Sequence, residues 1–302
     1  MDPQQHSITA AHDRVLEVLT AGPIDGVPLV FHTGSPFGAA LFPPLTQAAS
    51  EHGLRVVHYS RPGFGRSTAQ PGRSVADTAG DVAAILDGLG ADRFVTIGWS
   101  GGGPHALAAA ALLRDRCAAV AVVSGIASYG APGLDWFAGM SDENREEFSL
   151  ATAGTSAFLR HIEAQVPSLE AMQAQPLDAD TLARPDAADI AAFREFTAAG
   201  MRQAVLAGVA GWHDDDLAFV RPWGFEPAQV RSPATVWHGE ADQLVPVAHG
   251  RWLVDQISGA SAHFVPALGH GVVLRTHYRA IVAELVALAA VPLQRGSPPQ
   301  RA

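Results

Sequence analysis

A chain of 302 residues with 48% hydrophobic and 17% charged content has the make-up of a globular protein with an ample core, and no apolar run approaches the roughly 20 residues of a membrane span. The formal net charge of −10 argues against nucleic acid as a partner, because phosphate binding needs clustered positive charge. All 20 of the Lys and Arg residues are arginine, which removes Schiff-base lysine chemistry, pyridoxal phosphate included, and leaves a Walker-type loop without its lysine.

The first residues, MDPQQHSITAAHD, show neither a basic nor an apolar leader segment, and the single cysteine, Cys117, has no partner for an internal disulfide. Both observations point to the cytoplasm, with Cys117 a small buried residue beside a strand. The stretch DRVLEVLTAGPIDGVPLVF, residues 13–31, reads as an antiparallel hairpin turning at Gly22–Gly26. Short β-rich runs then recur at Val27–Gly34, Leu54–Ser60, Phe94–Gly98, Ala119–Gly125, Ala234–Gly239 and Ala262–Pro266. Each is nearly continuous in apolar residues, as a parallel sheet covered on both faces requires.

Helical patterns fall between them, near residues 38–52, 74–90, 100–114, 246–258 and 272–289. This alternation predicts an α/β fold, a mostly parallel doubly wound sheet with an N-terminal antiparallel hairpin. From residue 127 to 226 the alternation stops and helical patterns such as SDENREEFSLATAG take over. That segment is expected to be a helical cap inserted into a core of residues 1–126 and 227–290. The tail VPLQRGSPPQRA, residues 291–302, is expected to be disordered.

The run Gly98-Trp99-Ser100-Gly101-Gly102 follows a strand and opens a helix. A serine on such a corner presents its Oγ to solvent, and only small residues two positions either side let strand and helix backbones pass closely. The overlapping G-x-G-x-x-A of Gly101 to Ala106 fits a dinucleotide fingerprint poorly. At least two strands precede it, and the next strand ends at Ser124-Gly125 without a carboxylate.

A serine needs a base, and the base an orienting acid. Asp242 lies just after one strand and His270 just after the last, so with Ser100 all three stand beyond the carboxyl ends of strands, where open α/β sheets place their sites. Glu240 is the alternative acid. The amide of Gly101 and one from HTGSPFG, Ser35 first and Phe37 next, are the candidate oxyanion donors.

The remaining histidines read as structural: His249 in a helix, His263 in a strand, His105 packed on the elbow helix, with His32 and Thr33 shaping the first loop. Asp214, Asp215 and Asp216 beside His213 match no metal-ligand spacing and read as a solvated acidic helix start. No metal or cofactor is expected. Phe37 and Trp99 beside the serine, and Trp136, Phe137 and Met140 early in the cap, are candidate substrate contacts for a small, mainly apolar ester. The cap residues serve equally well to pack the cap on the core.

Taken together, HTGSPFG, SRPGFGRS, GWSGGGP, HGEADQLVP and GHG make residues 12–290 resemble the α/β-hydrolases with an inserted helical cap, a family of esterases, lactonases, peptidases and related hydrolases. The resemblance implies a serine hydrolase with a triad of Ser100, Asp242 and His270, working without cofactor or metal on a small-molecule substrate. The same triad would serve a lactonase, an amidase, a C–C hydrolase or a cofactor-free perhydrolase. A serine at the elbow disfavours haloalkane dehalogenase and ordinary epoxide hydrolase chemistry, since similar enzymes attack with aspartate. The chain departs from the family in reading Thr33-Gly34-Ser35-Pro36 where His-Gly-x-Pro is common, and Ser60 where Asp often precedes R-P-G-x-G-x-S.

Overall fold

The computed structural model describes residues 3–154, 156–174, 184 and 186–290. Its strands are β1 (Gln4–Ala10), β2 (Arg14–Ala21), β3 (Val27–His32), β4 (Leu54–Tyr59), β5 (Phe94–Trp99), β6 (Cys117–Val123), β7 (Ala234–Gly239) and β8 (Ser261–Val265). They form one sheet in the order β1-β2-β4-β3-β5-β6-β7-β8. The β1–β2 and β2–β4 pairs are antiparallel and all the others parallel. The fold is therefore the α/β fold expected, with one correction to its N-terminal hairpin. The hairpin pairs β2 with β1, not with β3. The turn at Gly26, whose amide reaches Pro23 O at 3.0 Å, carries the chain past the place of β4 to the middle of the sheet.

Every residue of β4, β5, β6 and β7 is buried, which is why these runs are apolar throughout instead of alternating. Two hydrophobic clusters cover the two faces. On one, α1 (Pro43–Glu51) and α9 (His270–Ala289) supply Leu45, Ala48, Leu274, Ile281 and Leu285. On the other, α2 (Thr78–Gly88), α3 (Gly102–Leu112) and α8 (Val247–Gln256) supply Val82, Ile85, Leu107 and Leu253. The small residues Ala106 and Ala108 to Ala111 let α3 lie close on the sheet, and Cys117 is buried at the start of β6.

Between β6 and β7 the described residues form four α-helices: α4 (Asp142–Ala153), α5 (Ser156–Ala174), α6 (Ala187–Ala204) and α7 (Ala210–Phe219). Helix α4 is capped at its start by Ser141 Oγ, which accepts from the Asn144 amide, and it stops at Gly154, whose φ of 61° ends the helix without a Cβ penalty. Among the described residues no helix is long and apolar enough to cross a membrane. The tail at 291–302 lies outside the described residues.

Candidate active site

Strand β3 lies between β4 and β5, so the sheet order reverses direction beside it, and ligands of open α/β sheets bind in the crevice at such a switch. His32 of β3 is registered with Gly98 of β5. The loop after β3 carries Ser35, and the corner after β5 carries Ser100.

Ser100 has a φ of 58°, a left-handed conformation costing a non-glycine residue about 1–2 kcal/mol. Its backbone is held there from both sides. The Ser100 amide donates to Val123 O at 2.9 Å, and its carbonyl accepts from the Gly103 amide at 2.9 Å. A Cβ on Gly98 would stand 2.7 Å from Gly103 Cα, and one on Gly102 would stand 2.8 Å from Thr33 O. The glycines are thus required by close backbone approach, as the corner's sequence implied.

The Ser35 nitrogen lies 3.4 Å from where a Cβ on Gly101 would sit, so the two candidate amides come from loops in contact. Among the described residues neither amide has a backbone acceptor. Ser35, Ser100 and Gly101 line one cavity of about 50 Å³.

His270 opens α9, and its Nδ1 meets Asp242 Oδ2 at 2.7 Å. A carboxylate accepts only, so Nδ1 carries the proton and Nε2 is left as an acceptor. The ring lies against Trp99, with centroids 5.7 Å apart. Asp242 is 4% exposed, and its Oδ1 accepts from the amides of Leu244 and Val245 at 2.9 Å each. Burial alone would raise its pKa. Hydrogen bonding from His238 and His270, the charge of His270 and the Val245 amide outweigh burial and hold it below the usual carboxylate range. His238, which sequence reasoning passed over, donates its Nε2–H to Val245 O at 2.7 Å and stands 3.5 Å from Asp242. Glu240, the alternative acid, instead pairs with Arg251 at 3.1 Å on the surface.

The candidate substrate contacts pack against neighbouring aromatic and apolar side chains. Phe37 is buried against Phe196 and Trp99, and Trp99 is enclosed by Phe37, Phe193 and Phe196. Trp136 donates to Ala127 O at 2.8 Å and packs edge-on to Phe137 and Phe148, while Met140 is buried in the same cluster. None of these five lines the cavity beside Ser100. Its wall from the inserted segment is made by Asn144, Glu147, Phe148, Asp216 and Phe219.

The acidic run is the largest correction. Asp214, Asp215 and Asp216 are all buried, not solvated. Asp215 accepts from Arg61 Nε at 3.0 Å and Nη2 at 2.5 Å and from Arg73 Nη2 at 2.6 Å, while His105 Nε2 stands 3.6 Å away. Against the cost of burial, the two guanidinium charges hold Asp215 well below the usual carboxylate range. Arg61 spends its other donors on the carbonyls of Thr33 and Gly34, each at 2.7 Å. One guanidinium therefore ties the Ser35 loop to the inserted segment, a function that only the arginine in SRPGFGRS could have hinted at.

Four of the remaining histidines have partners of their own. His105 Nδ1 bonds Thr78 Oγ1 at 2.7 Å, His249 accepts from the Ala127 amide at 3.1 Å, and His263 stacks on Trp237. His58 Nε2 meets Thr33 Oγ1 at 3.1 Å. Among the described residues no cluster of three or more His, Cys, Asp or Glu could hold a metal ion.

Residues 27–274 match the family described as alpha/beta hydrolase fold. The chain belongs to that family. It is 39% identical over 108 residues to a non-heme chloroperoxidase of Streptomyces lividans, a match spanning 35% of this chain and 39% of that relative. In structure this α/β-hydrolase resembles an esterase from Exiguobacterium antarcticum, with a TM-score of 0.71 at 18% identity over 95% of this chain and 100% of the other. It also resembles a bromoperoxidase from Bacillus anthracis, with a TM-score of 0.68 at 20% identity over 94% and 99%. Identities this low speak for the fold alone.

Proposed function

We propose that this chain is a serine hydrolase that cleaves a small carboxylic ester through an acyl-enzyme, in the cytoplasm and without metal or cofactor. The observation that carries the reading is the 2.7 Å contact of Asp242 with His270 Nδ1, which leaves Nε2 as an acceptor at the strand ends, where the strained Ser100 corner also stands. Ser100 Oγ attacks the acyl carbon while His270 Nε2 takes its proton. The imidazolium then protonates the leaving alcohol, and Asp242 stabilises that charge without taking the proton. The Ser35 and Gly101 amides donate to the tetrahedral oxyanion, and water activated by His270 releases the acid. No hydrogen bond joins Ser100 Oγ to His270 among the described residues; such contacts commonly tighten only in the substrate complex.

In this reading residues 127–226 cap the strand ends of a core formed by 1–126 and 227–290. Asn144, Glu147, Phe148, Asp216 and Phe219 from that segment bound the cavity at Ser100, so the cap selects substrate while the sheet performs the chemistry. Labelling with a fluorophosphonate tests the assignment. The wild type is expected to react at one site, and Ser100→Ala and His270→Ala are expected to abolish or strongly slow the reaction. An unlabelled wild type would leave a ligand-binding protein on the hydrolase fold. A panel of chromogenic esters, lactones and anilides then identifies the bond.

A second reading is favoured by the chloroperoxidase match: the same triad forms a peracid from a carboxylic acid and hydrogen peroxide, and the peracid oxidises halide. Peroxide-dependent bromination in acetate buffer, lost in Ser100→Ala, would support it.

A further inference from the structure

The wall that the inserted helices present to Ser100 is part apolar and part acidic. Asp216 of α7 is 1% exposed and lines the cavity, yet its Oδ2 has no hydrogen-bond partner. Glu147 of α4 lines it too and accepts from Trp212 Nε1 at 2.9 Å. The nearby cations are already engaged, Arg61 and Arg73 on Asp215 with Arg73 also near Asp214. Among the described residues no cationic side chain pairs with Glu147 or Asp216. A second buried polar atom without a partner, Ser35 Oγ, lies in the same lining.

A buried carboxyl oxygen without a partner is costly, and it calls for an explanation, of which a bound cation is one. Burial first, then repulsion from Glu147, raises the Asp216 pKa well above the ordinary range, and a cation beside the pair would favour its ionised form. We propose that Glu147 and Asp216 form a subsite for a positively charged amino group on the substrate, so that the ester or amide cleaved at Ser100 carries an ammonium group close to its scissile carbonyl. This rests on the serine-hydrolase reading above. The cavity of about 50 Å³ limits the distance, favouring a primary amine one or two carbons from the carbonyl over a long cationic chain. Asn144, whose Nδ2 donates to Leu244 O at 2.9 Å, still has its side-chain carbonyl to offer such an amine.

The test uses 4-nitrophenyl esters in matched pairs, glycinate against propionate and β-alaninate against butyrate. In each pair an ammonium replaces a methyl, and rates are divided by the spontaneous hydrolysis of each ester. The wild type should prefer the amino member by at least about 10-fold in kcat/KM, beyond what one misplaced methylene gives at the low end. Asp216→Asn and, separately, Glu147→Gln should each collapse that ratio toward one.

A wild type that reacts with fluorophosphonate at Ser100 but prefers the neutral members, or shows no preference, overturns the subsite alone. So does a preference that survives both substitutions. A wild type that is neither labelled nor active on either member overturns the hydrolase reading, and the subsite with it. Because the wild-type ratio decides on its own, a variant that fails to fold does not rescue the proposal.

Discussion

The sheet and the inserted helices around Ser100 treat a buried carboxyl in opposite ways. On the sheet side, Asp242 is 4% exposed but receives two backbone amides and faces two histidines, and it is held ionised. On the helical side, Asp216 is 1% exposed, has an oxygen with no partner and a second carboxyl as neighbour, and is pushed toward the neutral acid. Asp215, adjacent to Asp216 in the chain, sides with Asp242 because two arginines reach it. Depth of burial therefore does not decide the charge; the partners do. In the proposed reading one side keeps a charge for orienting a base, and the other offers a carboxyl to an arriving cation.

The most severe break in this comparison is Asp242→Asn. It replaces an acceptor with an amide that cannot keep His270 in its tautomer, and in a serine–histidine–aspartate system that costs about 10⁴-fold in kcat. Glu240→Gln touches only a surface pair with Arg251 and should stay within about twofold of wild type. Steady-state kinetics on any ester found in the panel check the ranking, and the reverse order would transfer the orienting role to Glu240.

Next in size is Asp215→Asn. It strands Arg61 and Arg73 in a dry interior, and breaking a buried pair from one side typically costs about 3–5 kcal/mol. Urea unfolding should show that loss with an unchanged m-value. Because Arg61 also holds the Thr33 and Gly34 carbonyls, phosphonate labelling of the folded fraction should slow as the Ser35 loop loosens. Normal stability and labelling would mean that the arginines find other acceptors.

How much of this was legible in the chain follows the range of the interactions. The Ser100 corner is local: Gly98 and Gly102 are demanded by backbone atoms a few residues away or on the adjoining strand, so the pattern announces the geometry. Asp242 and His270 could be found because apolar strands end visibly and the site lies beyond their ends. The hairpin was mispaired because the glycine turn shows that the chain bends but not which strand receives it, and β4 takes the place beside β2. The acidic run at 214–216 reads as surface because charge is local. The guanidiniums that bury it lie 142 and 154 residues upstream. Trp136, Phe137 and Met140 carry the same signature whether they pack or bind, and only the cavity's actual lining separates the two.

Acid should weaken the fold through a group of buried histidines. Desolvation lowers His58, His105 and His249 to about 4 each, well under the unfolded value near 6.5. His58 and His105 also face Arg61, and His105 faces Asp215 and Arg73. His249 faces His238 and Asp242. A folded pKa below the unfolded one gives stability that is complete above about pH 6.5 and is lost as pH falls toward 4. Each such histidine contributes a slope of up to about 1.4 kcal/mol per pH unit in that window. The midpoint of urea unfolding should therefore drop steadily between pH 6.5 and 4, and a flat profile would mean that these rings are protonated in the folded protein.

Asp216 should act with the opposite sign and the smallest effect, and it sharpens the comparison most. Its folded pKa lies above the unfolded carboxylate value, so the stability it contributes is present at low pH and is lost as pH rises through the folded value. The groups that face it are Glu147, Asp215 and the Trp212 indole, and the two carboxylates oppose its ionisation. Asp216→Asn keeps the size and cannot ionise. Relative to the wild type it should gain stability as pH rises above the unfolded carboxylate value of about 4. Above pH 7 the variant should be the more stable of the two, because the wild type must either hold its proton against solution or accept an uncompensated buried charge. The same substitution at the other side, Asp242→Asn, has no such alkaline benefit, since that carboxylate is already ionised and partnered. Paired unfolding curves for the two variants at pH 5 and pH 8 check this. If Asp216→Asn tracked the wild type at both, Asp216 would be an ordinary ionised carboxylate and the contrast with Asp242 would fall away.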